Sequence, residues 1–252
     1  MSVRVEARER ILVITIDRPA ARNAIDRATA EGIAAALDRL DGDPALGAGI
    51  ITGAGGYFCA GMDLKAFAAG EEMRVGGRGF AGIVERPPDT PLIAAIEGFA
   101  VAGGLEVALA CDLIVAARGA RLGIPEVKRS LVASGGALLR LPARIPYHVA
   151  MELALTGDPI DAERAAALGL VNRLAAPGEA LAVALELADA IVGNGPLALA
   201  ATKRLLREAP GWGADEMWAR QAEIAGPVFA SEDAREGAVA FAEKRPPEWR
   251  GR

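Results

Sequence analysis

A short apolar run that meets glycine and then a helix-spaced pattern occurs twice in this sequence, and no other feature restricts the fold as much. Residues 93–101 (IAAIEGFAV) run into Gly103 and Gly104 and then into a helical pattern over residues 105–111. Residues 48–52 end in Gly53-Ala54-Gly55-Gly56 and continue through residues 57–64 toward a second helix. β-branched residues favour extended backbone, and glycine permits the tight turn between strand and helix. The recurrence predicts an α/β protein, and 252 residues are enough to bury one main core.

The stretch 93–126 also carries the chemistry. A helix that starts at Gly103 should leave backbone N–H groups unpaired at its N-terminus, where a negative oxygen can be held. Glu106 and Glu126 lie in an otherwise apolar neighbourhood. If the strand-like run 113–117 folds one back beside the other, the two carboxyls can divide acid and base work between them.

The rest of the chain supports the same class. Residues 3–5 and 11–16 read as a hairpin closed at Asp17-Arg18-Pro19, and a helix opens at Ile25-Asp26 with Ile33, Ala36, Leu37 and Leu40 at helical spacing. Residues 66–91, broken by repeated glycines and by Pro87-Pro88, read as a short helix and a mobile loop: a substrate-dependent lid or a plain surface insertion. Helices are expected over 147–156 and 162–168, and a last short strand over 171–174. From Gly178 onward the chain reads as helices punctuated by 193–196, 210–211 and Gly226-Pro227.

Several function classes drop out. A net charge of −5 argues against a general nucleic-acid binder, although Arg129, Arg140 and Arg144 can still form a local phosphate patch. Apolar runs such as 131–141 are interrupted long before membrane-spanning length, and the charged N-terminus lacks a secretory pattern, so a cytoplasmic protein is expected. Cys59 and Cys111 read as small buried hydrophobes. His148 is the single histidine, which leaves little for Ser-His-Asp or Cys-His catalysis and no Cys/His cluster for zinc. Gly53-x-Gly55 follows a strand, but the third glycine of a dinucleotide fingerprint falls wrongly and no ribose-binding acid follows at the right distance.

Separated signatures then occur in a recognisable order: Arg18-Pro19, Asn23-Ala24, Phe58-Cys59-Ala60-Gly61-Met62-Asp63-Leu64-Lys65, Ile93 to Gly98, Ala102-Gly103-Gly104-Leu105-Glu106, Cys111-Asp112 and Pro125-Glu126. Leu155-Thr156-Gly157, residues 167–171, Ser231-Glu232-Asp233 and residues 241–245 continue the series. Over nearly its whole length the sequence resembles the crotonase (enoyl-CoA hydratase/isomerase) superfamily, and among its members most resembles an enoyl-CoA hydratase.

The resemblance implies an α/β crotonase-like fold of repeated ββα units, with a core over residues 1–195 and a C-terminal helical trimerisation region over 196–252. It implies a homotrimer or a dimer of trimers. The substrate is an acyl-CoA thioester, coenzyme A being part of the substrate, with no separate cofactor and no metal. The backbone N–H groups of Met62 and Gly103 map onto the family's oxyanion hole, and Glu106 and Glu126 onto its catalytic acid/base pair. Arg22, Ala60, Asp63, Leu64, Lys65 and Lys244 map onto positions near the CoA moiety. The implied reaction is reversible syn addition of water to a 2-enoyl-CoA giving a 3-hydroxyacyl-CoA, in fatty-acid or related acyl-CoA catabolism. Isomerase, dehydratase or decarboxylase chemistry on a substituted acyl-CoA, and acyl-CoA binding without catalysis, are the alternatives. One departure stands out: residues 131–137 (LVASGGA) lack the proline of the turn that many hydratases carry after the second acid. The acyl group is therefore left open.

Overall fold

The structure, a computed structural model, describes residues 2–252. Strands β1 (Val3–Arg8) and β2 (Ile11–Ile16) form the expected antiparallel hairpin. Asp26 caps helix α1 (Arg27–Gly42), accepting the Thr29 N–H at 2.8 Å, and Ile33, Leu37 and Leu40 bury the inner face of that helix. There follow β3 (Ala48–Gly53), α2 (Leu64–Ala68), β4 (Arg74–Val75), β5 (Gly79–Phe80), β6 (Leu92–Ile96), β7 (Phe99–Val101), α3 (Gly103–Ala110), β8 (Leu113–Ala117) and β9 (Arg121–Gly123). A 3-10 turn at Pro125–Arg129 precedes α4 (Ala137–Arg144) and α5 (Tyr147–Thr156), then β10 (Ile160–Asp161), α6 (Ala162–Ala167) and β11 (Arg173–Ala175). The chain closes with α7 (Ala180–Val192), α8 (Pro196–Glu208), α9 (Met217–Phe229) and α10 (Glu232–Glu243).

The main sheet has six strands in the order β1-β2-β3-β6-β8-β11, parallel from β2 onward, and a three-stranded sheet runs β10-β9-β7. Strand period explains how the main sheet is buried on both faces. Ile11, Val13, Ile50, Ile93, Ala95 and Val115 face α7, whose Ala180, Ala184 and Ala188 let that helix approach closely. Leu12, Ile14, Ile51, Leu92, Ile96 and Ile114 face the opposite way, into the core shared with α1 and α3. Successive units place one strand in each sheet and then a helix: β6-β7-α3 is the clearest. The unit before it is β3, a single bridge from Cys59 to Ala100, and α2. This is the ββα repetition that the resemblance implies, and the C-terminal helical region is present.

The structure departs from the sequence reading in four places. The segment 66–91 holds the β4–β5 hairpin and a packed stretch in which Met73, Ala81, Ile83 and Val84 are buried, rather than a loose loop. Arg78, 4% exposed, pins it, donating to Asp38 Oδ1 at 2.6 Å and to the Arg86 carbonyl at 2.7 Å. The last strand begins at Arg173 rather than Val171, because Leu170 and Val171 are drawn into the core while the Asn172 side chain accepts the Ile114 N–H at 2.8 Å. Helix α9 runs through Gly226-Pro227 to Phe229 instead of stopping there. Arg129 and Arg140 do not share a phosphate patch, since Arg140 turns inward onto the Val84 and Gly135 carbonyls. Both cysteines are free and buried, in keeping with the sequence reading, and burial pushes the Cys59 thiol up to about 12.

Candidate active site

Two glycine-dependent turns meet where the small sheet passes the N-terminus of α3. Ala102, the residue before that helix, has φ 53° and ψ −133°, a conformation that a residue with a Cβ adopts only when its surroundings enforce it. The Ala102 N–H is held by the Gly123 carbonyl at 2.9 Å, and its own carbonyl accepts from Leu105 and Glu106. This fixes the peptide that carries the Gly103 N–H. Opposite it, Ile25 donates to the Gly61 carbonyl at 2.8 Å and accepts from Asp63 at 2.9 Å, so the Met62 N–H between those two bonds points away from the bridge. Among the described residues, neither the Met62 nor the Gly103 N–H has an acceptor. The two free donors lie on adjoining walls of one cavity of about 550 Å³.

The same cavity is lined by Glu106 and Glu126. Glu106 sits in the first turn of α3, 4% exposed, and reaches the turn after the second acid. The Ala137 N–H donates to its Oε1 at 3.2 Å, and the Gly135 backbone packs against its Oε2. A Cβ at Gly135 would overlap Glu106 Oε2 and push that carboxylate out of its place. Burial raises the Glu106 pKa, and the Ala137 and Gly135 backbone and the Arg140 charge pull it back. Glu126 lies on the 3-10 turn, and its Oε2 is buried with no hydrogen-bond partner. Burial raises its pKa, its own backbone N–H opposes the rise, the Glu106 charge adds to it, and Arg129 lowers it. The donor-held Glu106 is the better placed to be an ionised base, and the orphaned Glu126 to be a neutral acid.

The sequence-selected residues divide. Met62, Gly103, Glu106 and Glu126, with Arg22, Ala60 and Leu64, line one cavity. Asp63 does not: it caps α2 through the Lys65 and Ala66 N–H groups and pairs with Arg18 at 3.0 Å. Lys65 is exposed at the start of α2, and Lys244 is the left-handed C-cap of α10; neither lines this cavity. Sequence reasoning passed over Phe80, and it placed neither Arg129 at this cavity nor Gly61 against Gly103. Phe80 lines the cavity, and its ring occupies the space that a Cβ on Gly103 would need, at 2.5 Å. A side chain at 103 would therefore displace the Phe80 ring, a constraint that the local turn does not predict. A second, apolar cavity of about 390 Å³ adjoins and shares Glu126 and Val132 with the first.

Comparison with known proteins points the same way. The sequence profile of the family described as enoyl-CoA hydratase/isomerase matches residues 6–252. The Mycobacterium tuberculosis enoyl-CoA hydratase EchA19 is 45% identical, the match covering 98% of this chain and 96% of that one. A carnitinyl-CoA dehydratase of Proteus mirabilis is 42% identical over 100% of this chain and 99% of its own. Among solved structures, an enoyl-CoA hydratase from Mycobacterium tuberculosis superposes with a TM-score of 0.98 at 62% identity, covering 100% of this chain and 99% of that chain.

Proposed function

The chain is a member of the enoyl-CoA hydratase/isomerase family, and we propose that its reaction is the reversible addition of water across the 2,3 double bond of an enoyl-CoA thioester. The observation that carries this reading is the convergence of two free backbone N–H groups and two buried carboxyls on one cavity. The thioester oxygen accepts from Met62 and Gly103. Glu106 takes a proton from water as the water oxygen bonds to C3, and negative charge moves onto the thioester oxygen. The two donors stabilise that charge by ~3 to 4 kcal/mol each. Glu126 then delivers its proton to C2, and the enolate collapses to the 3-hydroxyacyl thioester. Addition of both groups from the carboxyl-bearing wall gives syn stereochemistry, and the same steps in reverse dehydrate. The chemistry calls on no resident cofactor, since coenzyme A arrives with the substrate.

Arg129, which lines the cavity and lowers the Glu126 pKa, puts positive charge beside the acyl site. Glu71 and Glu72 line the same cavity, so the lining carries both signs of charge and selects no charge class of acyl group. The direct experiment follows the loss of conjugated thioester absorbance with crotonyl-CoA. Glu106→Gln and Glu126→Gln should each lower kcat by about 10²-fold or more, and unchanged turnover in both would sink the mechanism.

We propose further that the helical region 196–252 assembles copies of this chain into a trimer or a dimer of trimers. Leu206, Trp218, Phe229 and Phe241 on α8, α9 and α10 are 70% to 88% exposed, an apolar excess that a second copy would cover. A cytoplasmic location fits the two unpaired cysteines. Among the described residues, no single helix is long and apolar enough to cross a membrane.

A further inference from the structure

The turn that separates this chain from many of its relatives, residues 131–136, is tied to the β4–β5 hairpin region by the Arg140 side chain. Arg140, one turn into α4, bends back over Gly136, whose lack of a Cβ leaves the space that the guanidinium fills. Its Nη1 donates to the Gly135 carbonyl at 3.4 Å and its Nη2 to the Val84 carbonyl. Val84 belongs to the packed segment that follows the β4–β5 hairpin, and Phe80 and Met73 of that hairpin region line the catalytic cavity. Gly135 in turn packs against the Glu106 carboxylate, and the Ala137 N–H two residues on donates to that carboxylate at 3.2 Å. One guanidinium thus joins three parts distant in sequence: the hairpin wall, the turn and the buried acid. The ionisable groups that bear on it are Glu106 and the Cys111 thiol from α3 and Arg144 from its own helix. Glu106 itself is faced by Arg140 and, across the cavity, by Glu126.

We propose that Arg140 is a positioning residue for hydration: it holds the Val84 and Gly135 carbonyls together, so fixing the turn against Glu106, and it supplies the positive charge that keeps Glu106 able to accept a proton. The assignment rests on Glu106 serving as the base in the hydration reading above. Arginine suits the task because its planar guanidinium spans two acceptors and stays charged when partly desolvated. Lysine can keep the charge but cannot bridge both carbonyls.

The experiment compares wild type, Arg140→Gln, Arg140→Met and Arg140→Lys as pH profiles of kcat/KM for crotonyl-CoA, with thermal midpoints measured in parallel. Loss of the cation raises the proton affinity of Glu106, so in the Gln and Met variants the acid limb moves to higher pH and kcat at neutral pH falls roughly tenfold or more. Arg140→Lys returns the acid limb to the wild-type position while kcat stays reduced. Neutral variants that keep the wild-type acid limb, whatever their stability, overturn the proposal, as does a Lys variant whose acid limb stays displaced. The Gln variant keeps hydrogen-bonding capacity and so reports even if the Met variant does not fold. A wild type without hydratase activity overturns both readings, whereas an active wild type with unshifted variants overturns this one alone.

Discussion

Gly61 packs directly against the backbone of Gly103: a Cβ on Gly61 would lie 2.9 Å from the Gly103 nitrogen and 2.9 Å from the Ala102 Cβ. That approach brings the Met62 N–H, one residue further on, beside the Gly103 N–H. Gly61 also has φ 92°, which disfavours any side chain. The spacing of the two free backbone donors is therefore set by a glycine that is neither of them.

Gly61→Ala should part the two donors. We expect kcat for crotonyl-CoA to fall by about 10²-fold, the scale of losing one oxyanion donor, with a smaller change in KM. Steady-state kinetics on protein of native circular dichroism checks this. An active Gly61→Ala enzyme would mean that the donors are positioned some other way.

Glu126 offers a pH-dependent test. Its folded-state pKa is raised from the ordinary value of 4.5, chiefly by burial. Above that ordinary value the unfolded chain gives up the proton that the folded chain tends to keep, so Glu126 progressively destabilises the native state as pH rises through its folded pKa. Glu126→Gln, with its turnover reduced, should raise Tm at pH 7.5 by removing that cost. At pH 4 the gain should shrink. Scanning calorimetry that finds the same difference at both pH values would contradict the shift.

Arg78 anchors the cavity wall from outside. Its side chain is 5% exposed while that of Asp38, its partner, is 64% exposed, so truncation strands the Arg86 carbonyl more than the acid. Arg78→Met should destabilise by about 1–3 kcal/mol. It should also raise KM several-fold with a lesser effect on kcat, because Met73 and Phe80 lose their backing. Urea unfolding and steady-state kinetics measure the two effects separately.

Phe229 and Phe241 test the assembly. Each is more than 80% exposed on the C-terminal helices, and replacing both with glutamate should shift a trimer or hexamer to smaller species in light scattering. A wild type that already runs as a monomer would remove the trimer reading.

Much of this was legible in the sequence, and the residues show why. The apolar run Ile11 to Ile16 marked a strand, and strand period, a local property, sends its side chains alternately toward α7 and α1. Asp26 announced its helix, and Gly103-Gly104 announced a turn with unpaired N–H groups. The family resemblance singled out Glu106 and Glu126. What tertiary structure decided were contacts between segments far apart in the chain. Gly104 must be glycine because a Cβ would strike the Cys59 carbonyl, and Glu97 caps α7 through the Gly178 and Ala180 N–H groups at 3.1 and 2.9 Å. Arg78 turns a glycine-broken stretch into a packed wall, and Arg140 turns toward two carbonyls instead of solvent. Periodicity and propensity act over a few neighbouring residues, whereas a close backbone approach or a buried guanidinium depends on which surfaces the fold presses together. The sequence alone therefore determined the elements and named the acids; only the fold decided what holds those acids and the two free backbone N–H groups in place.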